Sequence, residues 1–140
     1  MDEETYYIKD RLTYRVRGAI FEVHKHLGPG LFEECYHQAL LRELELNDIE
    51  AESKVKIPVK YKGIEIKDAY EADIIVEDEL IIELKSVDKL SNVHFRQLQT
   101  YLHLKNLHVG YLVNFNCLYM KDNVDIIKVY NNEATDKSDI

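Results

Sequence analysis

The segment YEADIIVEDELIIELK, Tyr70 to Lys85, reads as two apolar strands joined by a short acidic loop, and the other elements can be arranged around it. A three-residue loop, Glu77 to Glu79, would set Asp73 opposite Glu83 in an antiparallel hairpin. Residues directly opposite each other share a face, with Cβ atoms roughly 4.5–5.5 Å apart. The other face would be wholly apolar and would form the core; it comprises Tyr70, Ala72, Ile74, Val76, Leu80, Ile82 and Leu84.

Two carboxylates that face each other raise each other's pKa unless a cation lies between them. A hard divalent cation such as Mg²⁺ would relieve this repulsion, since it binds to one or two carboxylates together with water and phosphate oxygens. Lys85 lies two residues beyond Glu83 on the same face and adds an ammonium group. Asp73, Glu83 and Lys85 could therefore bind a metal, orient a water molecule and stabilise negative charge on a phosphate.

Two other interpretations of this segment stay open. An ordinary half-exposed hairpin would place Glu71 and Lys85 in a surface ion pair, because amphipathic strands carry charges on their wet face. A two-residue loop would shift the register by one residue and send Asp73 and Glu83 to opposite faces.

Composition indicates one globular domain. The chain has 140 residues, of which 46% are hydrophobic and 31% charged, as in ordinary soluble proteins. We expect the domain to span residues 1–130, followed by a polar, disordered tail at 131–140. The sequence holds no apolar run near the ~18 residues of a membrane span, and its first residues are too acidic for a signal peptide, so we expect a cytoplasmic protein. Cys35 and Cys117 lack metal or disulfide spacing, which predicts reduced, structural thiols and no zinc site.

The formal net charge of −8 argues against a protein that coats nucleic acid by bulk electrostatics. Six of the 26 acidic residues, however, lie near the two ends of the chain, and lysines cluster in the middle. A local basic strip can follow a phosphate backbone even on an acidic protein. The candidate phosphate contacts are Lys54, Lys56, Lys60 and Lys62, with Lys67 nearby.

Apolar periodicity predicts two N-terminal helices. The first runs from Ile8 to Leu27 and is stopped by the Gly-Pro-Gly sequence at 28–30. The second would end near Asn47 and carries Glu33 in its first turn, where the helix dipole favours an anion. This preference is a sufficient structural reason for Glu33, with no functional role. The inner stripe of the second helix is predicted to comprise Leu31, Cys35, Ala39, Leu40 and Leu44.

After Ile49 the pattern changes to the period of two that is typical of strands. Residues 54–62 alternate between apolar and mostly basic, and Pro58 places this strand at a sheet edge. A helix begins after Ser91. The apolar run at 107–115 predicts a central strand, which the preceding helix would make parallel to the strand before it. With a last strand at 124–130, the sequence predicts a mixed α/β fold with four to five strands flanked by helices.

The ordered motifs are similar to those of the PD-(D/E)xK nuclease superfamily, which has a restriction-endonuclease-like core. Asp73 and the Glu-x-Lys of Glu83 to Lys85 correspond to its catalytic strands, and Gln97 and Tyr101 match the Q-x-x-x-Y element of RecB-like members. The sequence GLFEECY at 30–36 resembles the motif that names the small GxxExxY protein family, which is grouped with these nucleases. The chain departs from the superfamily name at Ala72, where a proline is expected.

This resemblance implies a metal-dependent nuclease that hydrolyses phosphodiester bonds of DNA with Mg²⁺ or Mn²⁺. Asp73, Glu83 and the Leu84 carbonyl would hold the metal, and Lys85 would orient or activate the attacking water. The remaining roles that it implies are metal binding, directly or through water, by Glu33, and substrate positioning or support of the site by Tyr36, Gln97 and Tyr101.

Fold alone does not fix function, so a second hypothesis is a non-catalytic binding or assembly module that acts through a protein or nucleic-acid partner. The acidic charge and the lack of an evident DNA-reading domain favour it. An RNA-directed enzyme is a third hypothesis. The sequence also leaves open whether the protein forms a homodimer.

Overall fold

The computed structural model describes residues 3–134, with side chains described from residue 11 onward. Its elements in chain order are α1 (Glu3–Leu27), α2 (Glu33–Leu46), β1 (Ala51–Tyr61), β2 (Ile64–Val76), β3 (Leu80–Lys85), α3 (Asn92–Lys105), β4 (Val109–Asn114) and β5 (Ile126–Tyr130).

The five strands form one mixed sheet in the order β1-β2-β3-β4-β5. Only β3 and β4 are parallel, and α3 joins them, as the apolar run at 107–115 predicted. β1 is an edge strand, in agreement with Pro58. The mixed α/β class, the strand number and the restriction-endonuclease-like arrangement of sheet and helices are therefore confirmed.

The central hairpin has the predicted register. Ile75 lies opposite Ile81 and Val76 opposite Leu80, so the loop has three residues and a slip to a two-residue loop is excluded. Asp78 in this loop has a positive φ of 53°, a conformation that aspartate tolerates better than most residues.

Both faces of the sheet are covered, so the alternative of an ordinary half-exposed hairpin does not hold. Helices α1 and α2 pack on one face, against Ile74 and Ile82 among others. Helix α3 packs on the other face, where Ile75 and Ile81 are buried. The central strands are apolar on both sides because helices bury both sides.

At Lys54 and Asp73, the side chains of β1 and β2 switch from one face of the sheet to the other. These two residues are missing from the pairing between Ser53↔Ile74 and Val55↔Ala72, and Lys54 has a φ of 53°. As a result Ala72 belongs to the cluster under α3 rather than to that of Ile74. Tyr70 likewise contacts α3, through Tyr101. The prediction of one apolar face from Tyr70 to Leu84 was wrong because a period of two assumes an uninterrupted strand.

The inner face of α2 also differs from the prediction. Leu31 precedes the helix and Cys35 is exposed. The buried residues of α2 are Tyr36, His37, Leu40 and Leu44. His37 is accommodated because its ring hydrogen-bonds to the Ser53 hydroxyl, at 2.6 Å.

Asn131 follows β5 and is tied to the body of the domain, since its amide side chain donates to the carbonyls of Leu102 and Leu107. The greater part of the predicted tail, residues 135–140, lies outside the described residues. Among the helices within residues 3–134, none has both the length and the apolar character needed to cross a membrane.

Candidate active site

Asp73 and Glu83 meet where the β2–β3 ladder ends. Beyond the pair Ile74↔Ile82, hydrogen bonds from the backbone to these two side chains replace the backbone pairing of the strands. Glu83 Oε1 accepts a hydrogen bond from the Asp73 N–H at 2.9 Å, and Asp73 Oδ2 accepts one from the Leu84 N–H at 2.8 Å. The hairpin register thus brings the two acidic residues together, and each carboxylate still has a second oxygen for another ligand.

The surroundings of Glu83 disfavour the ionised form of its side chain. Only 2% of its surface is exposed, and burial together with the Asp73 charge raises its pKa to about 8. The Asp73 N–H and the Lys85 charge oppose this rise but do not cancel it. A buried carboxylate with a raised pKa beside a second carboxylate is characteristic of functional sites.

Lys85 connects the carboxylates to α3. Its Nζ donates to Gln97 Oε1 at 3.2 Å, and Gln97 Nε2 donates to the Tyr101 hydroxyl at 2.9 Å. Gln97 and Tyr101 share a helix face because they are four residues apart. Burial and the nearby Glu83 charge raise the pKa of Tyr101 to about 12, so the phenol keeps its proton at neutral pH. The structure thus brings together five of the predicted residues, Asp73, Glu83, Lys85, Gln97 and Tyr101.

The alternative surface pair between Glu71 and Lys85 does not form. Glu71 instead binds Lys56, with a Lys56 Nζ to Glu71 Oε2 distance of 2.6 Å. Lys85 is turned toward α3 and is half-buried.

Glu33 lies at the end of β3 rather than among the other two carboxylates. Its Oε1 accepts a hydrogen bond from the Ser86 N–H at 3.2 Å, and the Ser86 hydroxyl donates to the Leu31 carbonyl at 2.8 Å. These contacts fasten the turn before α2 to the residue after Lys85. An open cavity of about 630 Å³ lies here, with Glu33, Ser86 and Asn116 in its lining.

The donor set fits a hard divalent cation. Within residues 11–134, no three or more His, Cys, Asp or Glu side chains are grouped to hold a metal. Mg²⁺, however, is commonly held by one or two carboxylates with water completing its shell. The Lys85 C=O accepts from the Phe115 N–H, just after β4, and the Leu84 N–H points toward Asp73. Because the N–H and C=O of one strand residue point to the same neighbouring strand, we expect the Leu84 C=O to point toward β2 as well. Two carboxylates and one carbonyl would therefore be available as oxygen ligands for such a cation.

Tyr36 has a structural position. Its ring is fully buried and stacks on Phe115 with a centroid distance of 4.5 Å. Its hydroxyl donates to the Gly28 carbonyl at 2.6 Å and accepts from the Leu31 N–H at 3.2 Å. Tyr36 therefore holds the turn that presents Glu33, rather than reaching Asp73 or Glu83 itself.

The four predicted phosphate contacts divide into two groups. Lys54 binds Glu34 at 3.3 Å and Lys56 binds Glu71, so both charges are already offset on the surface. Lys60 and Lys62 lie farther along β1 and in the turn after it, and both are exposed.

Sequence reasoning missed Asn114, the last residue of β4. Its side chain is buried and forms two hydrogen bonds with the Val87 backbone, at 3.1 Å and 2.9 Å, and a third with the Asn116 N–H. Asn114 lies beside Lys85 in the parallel pair and so fixes the path of the chain after the site. A polar residue that ends an apolar run was the available signal, because ends of parallel strands meet at one edge.

Comparison with known proteins gives the same assignment. The family model described as the PD-(D/E)XK nuclease superfamily matches residues 10–127. Curated proteins contain no match to this chain. Among solved structures, the one titled "Crystal structure of SSO0001" is similar, with a TM-score of 0.51 and 26% identity over 76% of this chain. The match covers 52% of that structure, so this chain spans about half its length. The fold, the order of the motifs and the match over residues 10–127 together establish that the chain belongs to the PD-(D/E)XK nuclease superfamily.

Proposed function

We propose that the protein is a metal-dependent nuclease that hydrolyses phosphodiester bonds of DNA. The observation that carries the proposal is the opposition of Asp73 and Glu83 beside Lys85 in a chain of this superfamily. A buried carboxylate with a raised pKa has an unmet need for a cation, and a substrate phosphate needs its negative charge offset.

Asp73, Glu83 and the Leu84 carbonyl would hold Mg²⁺ or Mn²⁺, and Glu33, which lies at the end of β3, would act through a water molecule. When bound, the metal would supply a positive charge beside the phosphate and lower the pKa of water. Lys85 would hold the attacking water with its ammonium group and steady the charge that develops on the phosphate oxygens. Hydrolysis adds the water oxygen to phosphorus and breaks the bond to one sugar oxygen, which leaves with a proton.

Gln97 and Tyr101 would act by positioning. Gln97 accepts from the Lys85 ammonium group and so limits where that group can point. Tyr101 in turn fixes the Gln97 amide, and its own ring is held by burial. Loss of either side chain would leave the carboxylates in place but would free Lys85 to move.

A binding or assembly module is the second candidate. It is favoured by the cross-bonds between Asp73 and Glu83, because they close the end of the hairpin whether or not a metal binds. On this hypothesis the two residues are structural, and their substitution would lower stability without any change in metal affinity.

The test combines metal binding with cleavage. Binding of Mn²⁺ is measured by calorimetry and by the rise in melting temperature, since a ligand specific for the folded state stabilises it. Cleavage of single- and double-stranded DNA and RNA is then followed with Mg²⁺ and with Mn²⁺. Variants Asp73→Asn, Glu83→Gln and Lys85→Ala are compared with Glu52→Gln and Lys25→Ala, which alter exposed residues away from the site.

We expect Asp73→Asn and Glu83→Gln to lose Mn²⁺ binding and cleavage together. Lys85→Ala should keep Mn²⁺ binding and lose cleavage, by about 10²-fold or more. Cleavage that survives all three substitutions would contradict the proposal, and an absence of metal binding in the wild type would favour the assembly module. Cleavage of RNA alone would change the substrate but not the site.

A further inference from the structure

The β1–β2 hairpin extends beyond the body of the domain as an arm, defined here as residues 58–71. No residue in this range is buried, although Ile57 before it and Ala72 after it are. The tip is a tight two-residue turn, in which Lys62 has a φ of 42° and Gly63 one of 87°. These are the positive φ angles of a type I′ turn, which matches the twist of the strands.

One face of the arm is apolar and has no cover among the described residues. Val59 lies opposite Ile66 and Tyr61 opposite Ile64, so the four side chains share a face. Tyr61 is 57% exposed and Ile64 is 61% exposed. An exposed apolar face lowers the solubility of a protein unless another molecule covers it.

The arm carries lysines as well as acidic residues. Residues 58–71 contain three lysines and three acidic residues, and one of these acids, Glu71, pairs with Lys56 outside the arm. Within the part of the chain that the structure describes, Lys60, Lys62 and Lys67 form no ion pair. The Lys62 Nζ lies 5.4 Å from the centre of the Tyr61 ring, so a cation and an aromatic face meet at the tip.

The base of the arm lies next to the candidate active site. Tyr70 lies opposite Ile57 at the base of the arm, and its ring contacts that of Tyr101, with a centroid distance of 5.6 Å. Tyr101 is hydrogen-bonded to Gln97, which binds Lys85. A ligand lying along the arm would therefore pass on to the residues of the site.

We propose that the arm binds a single-stranded nucleic acid and guides it into the site; this inference rests on the proposed function and names its substrate class. Unpaired bases would stack on the Tyr61 and Tyr70 side of the arm, and phosphates would contact Lys60, Lys62 and Lys67. A duplex keeps its bases stacked inside and could use only the lysines. A second copy of the chain is the competing occupant, and the sedimentation measurement below distinguishes it from a nucleic acid.

Binding is measured by fluorescence anisotropy of a labelled oligothymidine and of a labelled duplex, in EDTA so that metal-dependent cleavage does not occur. Variant Tyr61→Ala is matched with Tyr14→Ala, which removes an exposed tyrosine from α1 on the opposite side of the sheet. The pair Lys60→Gln and Lys62→Gln is matched with Lys25→Gln and Lys121→Gln, which are also exposed.

We expect Tyr61→Ala to weaken oligothymidine binding about tenfold and to leave duplex binding unchanged. The double Lys60 and Lys62 variant should reduce the slope of log affinity against log salt by about 1.4, from about 0.7 per phosphate contact. Both matched controls should bind as the wild type does.

The inference is overturned if Tyr61→Ala binds oligothymidine like the wild type, or if sedimentation shows a dimer that Tyr61→Ala dissociates. The proposed function can fail separately. Binding that depends on the arm, with no cleavage when Mg²⁺ is added, would reject the nuclease activity and keep the arm as a binding surface. Cleavage that the arm substitutions leave unchanged would reject the arm as a binding surface and keep the nuclease activity.

Discussion

The Asp73 N–H donates to Glu83 Oε1 at 2.9 Å, so the two acids that face each other at the site also close the end of the β2–β3 hairpin. The same two side chains therefore stabilise the hairpin and form the candidate active site. Substitution of either one changes the stability of the domain as well as any metal affinity, and the two effects have to be measured apart.

Stability of the metal-free protein should depend on Glu83 between about pH 4.5 and pH 8. Burial and Asp73 raise the Glu83 pKa from 4.5 to about 8 in the folded state, so the folded protein keeps a proton that the unfolded chain has lost. Stability is greatest below the unfolded pKa and falls as pH rises through this range, by on the order of a few kcal/mol.

Denaturant unfolding in EDTA at several pH values measures this slope. Glu83→Gln should flatten it, because glutamine can still accept from the Asp73 N–H but does not titrate. Glu52→Gln, an exposed control, should keep the slope of the wild type. An equal slope in Glu83→Gln would assign the titration to another group.

Gly110→Ala should destabilise the junction of β4 and α3. A Cβ at this position would lie 2.8 Å from the Ile81 carbonyl oxygen, which is closer than contact allows, and 3.0 Å from Leu98 Cδ1, which would have to shift. We expect the free energy of unfolding to fall by about 1–3 kcal/mol, as for other overpacked cores.

The matched control is Gly18→Ala in α1. A Cβ there meets nothing within 4 Å, and alanine is the better helix former. Its free energy of unfolding should rise by about 0.5–1 kcal/mol. If denaturant unfolding gives the same change in the free energy of unfolding for both substitutions, β4 and α3 can move apart to accept the added methyl group, and the prediction is wrong.

Lys54→Gly should be tolerated in the middle of a strand. Lys54 has a φ of 53°, which costs most L residues about 1–2 kcal/mol and costs glycine nothing. We expect the free energy of unfolding to rise by about 0.5 kcal/mol. Lys60→Gly in the same strand, where φ is not positive, should lower it by about 0.5–1 kcal/mol, so the two variants should differ in sign.

Cys117 should be slow to react with thiol reagents at neutral pH. Burial, and to a lesser degree Asp125, raise its pKa to about 11, and only the thiolate is nucleophilic. In Cys35→Ser, labelling of Cys117 should rise about tenfold per pH unit between about pH 7 and pH 9. Cys35 in Cys117→Ser is exposed and should react first; similar rates for both thiols at neutral pH would contradict the burial of Cys117.

Local patterns were enough to predict the elements and the hairpin register. Apolar runs with turn residues between them identified the strands, and the loop length set Asp73 opposite Glu83. The Glu-x-Lys spacing and the four-residue spacing of Gln97 and Tyr101 identified a group that the fold assembles.

The features that could not be predicted from the sequence depend on contacts between residues far apart in the chain. The left-handed backbone at Lys54 turns both β1 and β2 over, and lysine carries no local signal for that conformation. The burial of Tyr36 depends on Phe115 and the Gly28 carbonyl, neither of which its own helix reveals. The ion pairs of Lys54 and Lys56 depend on partners that come from α2 and β2.

Every pair of neighbouring strands in the sheet is also consecutive along the chain. Pairing of the strands therefore requires no meeting of remote segments, and the largest loop closed within the sheet is the one that α3 fills as it forms. Because the entropy lost in closing loops sets much of the barrier to folding, this connectivity should let the sheet pair in about milliseconds, before α1 docks against Tyr111 from the far end of the chain.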